Sequence, residues 1–138
     1  MVGPTVSCIT EAEIEDLIAR YPIPVSLLRE ANRDRAIQGR VRISGVRRVP
    51  IVDPETNTVV GFVTPHAGAY GYRLGSIYVT PSAQGKGLAR AMVLRFRDRG
   101  LVHFVPDLSP ASHAMHRALG FEVWRRHGAG TWYRLPKE

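Results

Sequence analysis

The sequence predicts a mixed α/β fold, an α+β arrangement in which one mixed β-sheet is flanked by helices. Three patterns along the chain indicate this class. Helical and strand periodicities succeed one another, a strand–helix–strand unit occupies the middle, and a pair of strands stands on each side of that unit. No segment approaches the ~20 apolar residues of a bilayer span, so no transmembrane helix and no membrane partner are expected.

The N-terminal part is predicted to be a short strand followed by two helices. Residues 6–9 alternate apolar and polar side chains, as a strand does. Thr10 stands three residues before Glu13, the spacing of a capping box, which predicts a helix over residues 10–20. Pro24 suits the first turn of a second helix that extends to about residue 37.

Extended periodicity replaces the helical pattern in the middle of the chain. A turn is predicted at residues 53–57, between two antiparallel strands, and a loop or bulged strand entry at residues 68–72. Pro81 ends the strand that follows this loop. The three strands are expected at residues 46–52, 58–64 and 74–79.

The C-terminal part is predicted to contain two helices and three strands. The first helix follows a glycine-rich turn and reaches residue 99, and a short buried strand covers residues 101–105. Ser109 and Pro110 form a typical helix start, and that helix ends at Gly120. A terminal hairpin at residues 121–126 and 131–135 brings the total to about seven strands and about four helices.

The charge of the protein is strongly positive. Its formal net charge is +7 and its pI is near 10.3, and seven arginines lie between Arg29 and Arg48. This arginine cluster predicts a surface for a phosphate-bearing partner, including a nucleic acid. The alternative is a solvated surface whose arginine content comes from a GC-rich coding bias. The single cysteine excludes an internal disulfide, and together with an N-terminus unlike a secretory signal it favours a cytoplasmic protein.

The glycine-rich turn is the most informative segment. The predicted strand 74–79 enters Gln84-Gly85-Lys86-Gly87-Leu88-Ala89, and this turn opens a helix. Glycines allow backbone N–H groups to converge on a ligand, and the helix N-terminus adds a partial positive charge, so a pyrophosphate is the expected guest. The alternative is a plain connection whose glycines only form the turn. The spacing is neither that of the P-loop nor that of the dinucleotide-binding fingerprint.

Two motifs resemble those of the GNAT acyltransferases. Val79-x-Pro81-x-x-Gln84-Gly85-Lys86-Gly87-Leu88-Ala89 is similar to the acyl-CoA-binding signature of that family. Ser109-x-x-Ser112-x-x-Met115-His116-x-x-Leu119-Gly120-Phe121 is similar to its second motif. The resemblance implies a single GNAT-like domain over residues 1–138, whose fourth and fifth strands splay apart.

The same resemblance implies an enzyme that moves an acyl group from acetyl-CoA, or another acyl-CoA, to a primary amine. The pantetheine arm would bind along the fourth strand, the pyrophosphate at the glycine-rich turn, and the thiol end near two serines. Members of the family are often dimers, so a homodimer is one expected assembly. The implied cofactor-binding residues are Ile77, Tyr78, Val79, Gln84, Gly85, Lys86, Gly87, Leu88, Ala89, Ser109 and Ser112.

The general base of the family has no counterpart at its usual place. Many GNAT enzymes carry a carboxylate on the central strand, and the matching positions here are Gly75 and Ser76. His66, near the start of that strand, is a candidate base, and the alternative is an exposed loop histidine. His103 and His127 are predicted to be structural. Five scattered histidines and one cysteine do not predict a metal site.

The proton donor of the family, a tyrosine, is replaced by His116. At ~100° per residue, the helix that carries it is predicted to bury an arc of apolar residues, with His116 at the edge of the arc beside Ser112 and His113 further outward. We therefore hypothesise that His116 protonates the departing thiolate or serves both the acid and the base step. The alternative is a border histidine that packs or caps. The predicted buried arc comprises Ala111, Met115, Ala118 and Leu119.

Three functions stay open from the sequence. The first is N-acylation of a small-molecule or protein amine. The second places the acceptor on a nucleic acid, such as tRNA or a phage DNA base, and is motivated by the arginine cluster. The third is a non-catalytic acyl-CoA-binding module, motivated by the absent carboxylates at Gly75 and Ser76.

Overall fold

The elements of the fold follow the predicted order from the first helix onward. The computed structural model describes residues 8–34, 46–68 and 71–136. Within these ranges it contains four α-helices and six β-strands. The helices are α1 (Glu11–Arg20), α2 (Val25–Asp34), α3 (Leu88–Arg95) and α4 (Pro110–Ala118). The strands are β1 (Val49–Asp53), β2 (Thr58–Gly68), β3 (Gly71–Val79), β4 (Val102–Pro106), β5 (Glu122–His127) and β6 (Gly130–Arg134).

The strands form two three-stranded antiparallel sheets, with the orders β1–β2–β3 and β4–β6–β5. Where the sheets meet, one parallel bridge joins Tyr72 of β3 to Leu101, just before β4. The predicted mixed sheet is therefore observed as two antiparallel sheets, and the α/β class is confirmed. Beyond the bridge, β3 and β4 diverge as the splay prediction expects.

The described part of the predicted first strand, residues 8–9, does not form a strand. Its first residues lie outside the described ranges, and Cys8 and Ile9 belong to no strand. The N–H of Ile9 donates instead to the carbonyl of Arg95 at the end of α3, at 2.9 Å. This contact satisfies the backbone of Ile9 without a strand partner, and the part of the chain that the structure describes therefore has six strands rather than about seven.

The two N-terminal helices form for the local reasons that the sequence indicates. Thr10 Oγ1 accepts from the N–H of Glu13 at 3.1 Å, and Glu13 Oε1 accepts from the N–H of Thr10 at 3.2 Å, which completes the capping box. Helix α2 buries Leu27, Leu28 and Ala31, as predicted. Its described part ends at Asp34, and the predicted extension to residue 37 lies outside the described residues.

The hairpin of β2 and β3 is longer than predicted. Gly68 pairs with Gly71, so most of the predicted loop at residues 68–72 is strand, apart from residues 69–70, which lie outside the description. Further along, β3 has one more residue than β2 between the pairs Val63–Ile77 and Pro65–Leu74. This β-bulge at residues 75–76 lets Leu74 and Ile77, three positions apart, both pack on the main core.

The main core lies between the two sheets and helices α1 and α3. Its centre is formed by side chains such as Ile14, Val93, Phe96, Leu101 and Val105, all of which are buried. Helix α3 is shorter than predicted, because after Arg95 the backbone tightens into a 3₁₀ turn, Arg97–Arg99. No helix in the described ranges is long and apolar enough to cross a bilayer.

Candidate active site

A cleft of about 590 Å³ opens where β3 and β4 diverge. One wall is β3 (residues 73–77), and the other is formed by His103 and Phe104 of β4. The loop before α4 and the N-terminal part of that helix, residues 108–112 with Met115 and His116, complete the lining. The cleft is therefore built from the strand that leads towards the first motif and from residues of the second motif, although the two segments lie far apart in the sequence.

The structure brings several predicted site residues to this cleft and keeps others away from it. Ile77, Ser109, Ser112 and His116 line it. The side chain of Tyr78 is buried on the side of α2, where its hydroxyl donates to Glu30 Oε2 at 2.8 Å. Only its backbone is thus available to a ligand in the cleft. Ser109 is the N-cap of α4, but its side chain makes no capping hydrogen bond.

The glycine loop, residues 84–89, connects β3 to α3. Gly85 and Gly87 have φ values of +84° and +77°, a region that side chains disfavour. A Cβ placed on either glycine would meet no atom within 4 Å, so the loop surface is open to a ligand. Gly87 is also the N-cap of α3 and makes no side-chain cap, which leaves the first-turn N–H groups of that helix without a side-chain acceptor. These features fit a pyrophosphate.

Two side chains fix this loop to the rest of the fold. Gln84 Nε2 donates to the carbonyl of Val79 at 2.8 Å, so the loop folds back on the end of β3. Lys86 Nζ contacts Oδ2 of Asp53, the last residue of β1, at 3.1 Å. The Glu55 N–H and the Lys86 ammonium hold the pKa of Asp53 below its usual value. Lys86 therefore anchors the loop through its side chain, and its backbone N–H is what a phosphate would meet.

The floor of the cleft contains the histidine pair, His103 and His116. The N–H of Leu74 donates to His103 Nε2 at 2.9 Å, across the gap where a β3–β4 ladder would otherwise continue. His103 Nδ1 lies 2.9 Å from His116 Nε2, and His116 Nδ1 lies 2.7 Å from the Ser112 carbonyl. The imidazole of His103 thus takes the hydrogen bond of a strand neighbour, which explains why the two sheets do not merge.

These contacts determine the tautomers of the histidine pair. His103 Nε2 must be unprotonated because it accepts from Leu74, so its proton is on Nδ1 and is donated to His116 Nε2. His116 then carries its own proton on Nδ1 and donates it to the Ser112 carbonyl. Burial lowers the pKa of His103 to about 3 and also lowers that of His116, so both rings are neutral at pH 7.

The predicted position of His116 at the border of the buried arc is wrong. His116 is only 5% exposed, whereas Ala111, Met115 and Ala118 of the predicted arc are exposed and only Leu119 is buried. His113 also points inward, with ring nitrogens 2.7 Å from Tyr133 Oη and 2.9 Å from the Pro106 carbonyl. Helix α4 buries its histidine face because β4 and β6 offer it polar and aromatic partners.

His66 is not among the residues that line the cleft, but it lies beside two of them, Arg73 and Gly75, on the neighbouring strand. It lies on β2, opposite Arg73, and its ring covers Gly75. A Cβ at Gly75 would lie 2.8 Å from His66 Nε2 and Cδ2, so the imidazole occupies the room that a side chain at that position would need. Neither ring nitrogen makes a hydrogen bond within the described ranges. Burial and the charge of Arg73 lower the pKa of His66, which is therefore neutral at pH 7.

The described members of the arginine cluster do not form one free basic surface. Arg47 contacts Glu11 at 2.7 Å and Glu15 at 2.8 Å on helix α1. Arg48 is buried, with its guanidinium 5.8 Å from the centre of the Phe62 ring. Arg29 and Arg33 are exposed on α2. The other arginines of the cluster lie outside the described residues.

Comparison with known families identifies the fold. The family model of the acetyltransferase (GNAT) domain matches residues 48–123, which is more than half of the chain. The chain belongs to the GNAT acetyltransferase family. It is therefore an acyl-CoA-dependent N-acyltransferase, as the two motifs predicted. No curated protein sequence matches the chain.

Solved structures show the same GNAT fold at low sequence identity. The yncA protein from Salmonella typhimurium, with its cofactor acetyl-CoA, is 21% identical, with a TM-score of 0.58 over 90% of each chain. An acetyltransferase from Thermus thermophilus is 21% identical, with a TM-score of 0.55 over 94% of each chain. The NatB acetyltransferase complex bound to CoA and MES is 13% identical, with a TM-score of 0.60 over 85% of this chain and 97% of that one.

Two residues of this GNAT cleft were not identified as functional candidates from the sequence. His103 was assigned a structural role, and Arg73 was not considered. A signal for His103 was available, because Leu101 and Val105 are buried on the same face of an apolar strand and an inward histidine between them needs polar partners. Arg73 gave no comparable signal, since an exposed arginine at a strand start is common.

Proposed function

We propose that this GNAT enzyme transfers the acetyl group of acetyl-CoA to a primary amine. The observation that carries the proposal is a shared strand: β3 forms one wall of the cleft and leads directly into the glycine loop. A ligand with a pyrophosphate at one end and a reactive group at the other could therefore contact both places. We further propose that residues 1–138 act as one domain, in the cytoplasm, and that the chain forms a homodimer.

The residues present fit an acyl-CoA. Backbone N–H groups of the glycine loop and of the first turn of α3 would hold the pyrophosphate, with Gln84 and Lys86 keeping the loop in place through their side chains. The backbone of Ile77, Tyr78 and Val79 would bind the pantetheine arm. Ser109 and Ser112 would lie beside its thiol end. The bound acyl-CoA supplies the activated thioester.

His66 is the proposed general base. When the amine nitrogen bonds to the acyl carbon and the carbon–sulfur bond breaks, the amine must lose a proton and the thiolate must gain one. His66 is neutral at pH 7 and its ring nitrogens are not engaged within the described ranges, so it can accept the amine proton at the cleft wall. Solvent then receives that proton from His66. The histidine occupies the space that the carboxylate side chain of other GNAT enzymes would need.

His116 as the proton donor to the thiolate stays a prediction. It lines the cleft, which favours contact with the thiol end. Its hydrogen bonds weigh against the role, because both ring nitrogens are engaged and burial lowers its pKa. A neutral imidazole is far too weak an acid to protonate a thiolate, so His116 would first have to gain a proton and give up its bond to His103. Water is the simpler donor.

A nucleic-acid acceptor is the weaker alternative. It depends on the arginine cluster, in which Arg47 is paired with acids and Arg48 is buried. The non-catalytic alternative depends on the missing carboxylates at Gly75 and Ser76. It is weakened because His66, which lies beside Gly75, can serve as a proton acceptor in their place.

Thiol release tests the proposed activity. The enzyme would be mixed with acetyl-CoA and, in turn, polyamines, aminoglycosides, amino acids, peptides, tRNA and DNA, with free CoA measured by a thiol reagent and the product by mass spectrometry. We expect amine-dependent CoA release that the His66→Gln variant loses while still binding acetyl-CoA. Tight acetyl-CoA binding without release in any mixture would contradict the proposal and favour a binding module.

A further inference from the structure

The charge of the cleft lining comes from one side chain. Of the described residues that line it, Arg73 alone carries a formal charge at pH 7, since His103 and His116 are held neutral and neither Asp nor Glu is among them. An acceptor with several positive charges would find no carboxylate in this lining. The electrostatics therefore disfavour polycationic acceptors and favour an anion.

The guanidinium of Arg73 is available to a ligand. Arg73 is exposed, and within the described ranges no hydrogen bond or ion pair engages it. Its charge nevertheless acts inside the cleft, where it contributes to the lowered pKa of His66 and of His103. Bringing an anionic group to Arg73 would neutralise a charge that the cleft lining does not compensate. Guanidinium binds carboxylates and phosphates with two parallel hydrogen bonds, which adds orientation to affinity.

The phosphates of acyl-CoA are not the partner of Arg73. The glycine loop follows the C-terminal end of β3, whereas Arg73 lies near its start. The strand between Arg73 and Val79 is roughly 20 Å long in extended conformation. A pyrophosphate at the glycine loop is therefore out of reach, whereas Arg73 pairs directly with His66 across the β2–β3 ladder and lies two residues before Gly75.

Apolar side chains accompany Arg73 in the lining. Phe104, Leu108 and Met115 all line the cleft, and all three are exposed, Leu108 at 95%. Contact with an apolar part of an acceptor would remove this surface from water and contribute to binding. Together, Arg73 and these three residues favour an acceptor that has an anionic group at one end and an apolar part next to it.

We propose that the acyl acceptor is an amine that also carries an anionic group, a carboxylate or a phosphate, which pairs with Arg73. Its apolar part packs on Phe104, Leu108 and Met115, and its amine faces the His66 ring. This inference rests on the proposed acetyl transfer and narrows its acceptor. Polyamines and aminoglycosides are excluded as good substrates, because their charges would meet Arg73 and no acid of the described lining.

Matched acceptor pairs test the inference. Leucine would be compared with leucinamide, and aminoethyl phosphate with ethanolamine, with spermidine as the cationic reference. We expect kcat/KM to be at least ~10-fold higher for the anionic member of one pair or both, in line with a charge-assisted hydrogen bond. The pair with the larger ratio identifies carboxylate or phosphate as the source of the anion.

Variants of Arg73 separate charge recognition from folding. Arg73→Gln should abolish the anionic preference and leave the KM for acetyl-CoA within ~2-fold, since the acceptor anion loses its partner while the glycine loop is untouched. The preference is a ratio of two amines measured on the same variant, so a change in the His66 pKa affects both members alike. Arg73→Lys should retain part of the preference, and Arg73→Glu should shift it towards spermidine. Arg117→Gln, an exposed change on α4 outside the lining, is the control and should alter nothing.

The outcomes separate this inference from the proposed function. If no amine of any charge releases CoA, the acetyl transfer itself is wrong. If neither anionic amine reacts faster than its matched neutral amine, or if spermidine reacts as fast as both anionic amines, acetyl transfer stands and the role of Arg73 is overturned. The same conclusion follows if Arg73→Gln, shown to be folded by its melting curve, keeps the full anionic preference.

Discussion

The histidines in and beside the cleft occupy two settings that differ in what their rings can do. His66 lies over Gly75 with its ring nitrogens unengaged within the described ranges, whereas both nitrogens of His103 and of His116 are held by hydrogen bonds. Burial lowers the pKa in both settings, so all three rings are neutral at pH 7. A lowered pKa therefore does not by itself mark a catalytic histidine. A base also needs an unengaged lone pair, and of these three described rings only His66 offers one.

The largest expected effect is on His66. His66→Gln should lower kcat by ~100-fold with little change in the KM for acetyl-CoA, because it removes a proton acceptor and leaves the glycine loop intact. In the native enzyme, kcat/KM should rise with pH through the pKa of His66, which lies below 6.5, and this rise should be absent in the variant. His127→Gln, on the exposed strand β5, is the matched control. Unchanged turnover in His66→Gln would show that His66 is not the general base.

The second test is His116→Phe, for which the sequence-based hypothesis and the structure predict different outcomes. A proton donor would show at least ~10-fold lower turnover with acetyl-CoA affinity nearly intact. A member of a buried hydrogen-bonded pair would instead lose ~2 kcal/mol of unfolding free energy, because His103 Nδ1–H loses its acceptor. We expect the loss of stability, measured by urea unfolding, with turnover per folded molecule within ~3-fold of native. Loss of turnover without loss of stability would make His116 catalytic.

A methyl group at Gly75 should act only through His66. Gly75→Ala places a Cβ 2.8 Å from the His66 ring and should displace it, lowering kcat by ~10-fold while the melting temperature changes little. In a His66→Gln background the same methyl group should have almost no further effect on kcat, since the group it displaces is already gone. Equal losses in both backgrounds would mean that Gly75 is needed for another reason.

The smallest expected effect is the pH dependence of stability. The folded-state pKa of each member of the histidine pair is lowered, so the unfolded chain takes up protons first as the pH falls below 6.5. Stability should be constant above about pH 7.5 and decline towards pH 3, with His103 contributing roughly 1 kcal/mol between pH 8 and pH 6 and His116 a loss of the same sign. His103→Gln should remove one histidine's share of this slope in urea unfolding curves. An unchanged slope would contradict the neutral tautomers assigned to the pair.

The parts of the fold that depend on neighbouring residues in the sequence were predicted well. The capping box of Thr10 and Glu13, the buried face of α2 and the start of α4 after Ser109 follow from short spacings. The glycine loop follows from backbone geometry that only a few residue types allow, so its position between β3 and α3 was predictable. These features need no knowledge of distant contacts.

The parts that depend on contacts across the fold were not predictable in this way. Apolar periodicity selected Ala111 and Met115 for the buried face of α4, but the partners that favour a buried His116 lie on β4 and β6. In the same way, the absence of a side chain at Gly75 has meaning only once β2 is seen to place His66 above it. Local sequence patterns do not reveal such contacts between residues that are distant in the sequence.

The bridge between Tyr72 and Leu101 has a mechanical consequence. Each sheet completes its own antiparallel ladder, so no ladder bond has to break when β3 and β4 move apart or together. The bridge then acts as a pivot, and the bond from Leu74 to His103, two residues further along β3, is the first one that such a movement would stretch. Near this end of the cleft, β3 and β4 are thus connected by one bridge and one side-chain hydrogen bond instead of a continuous ladder.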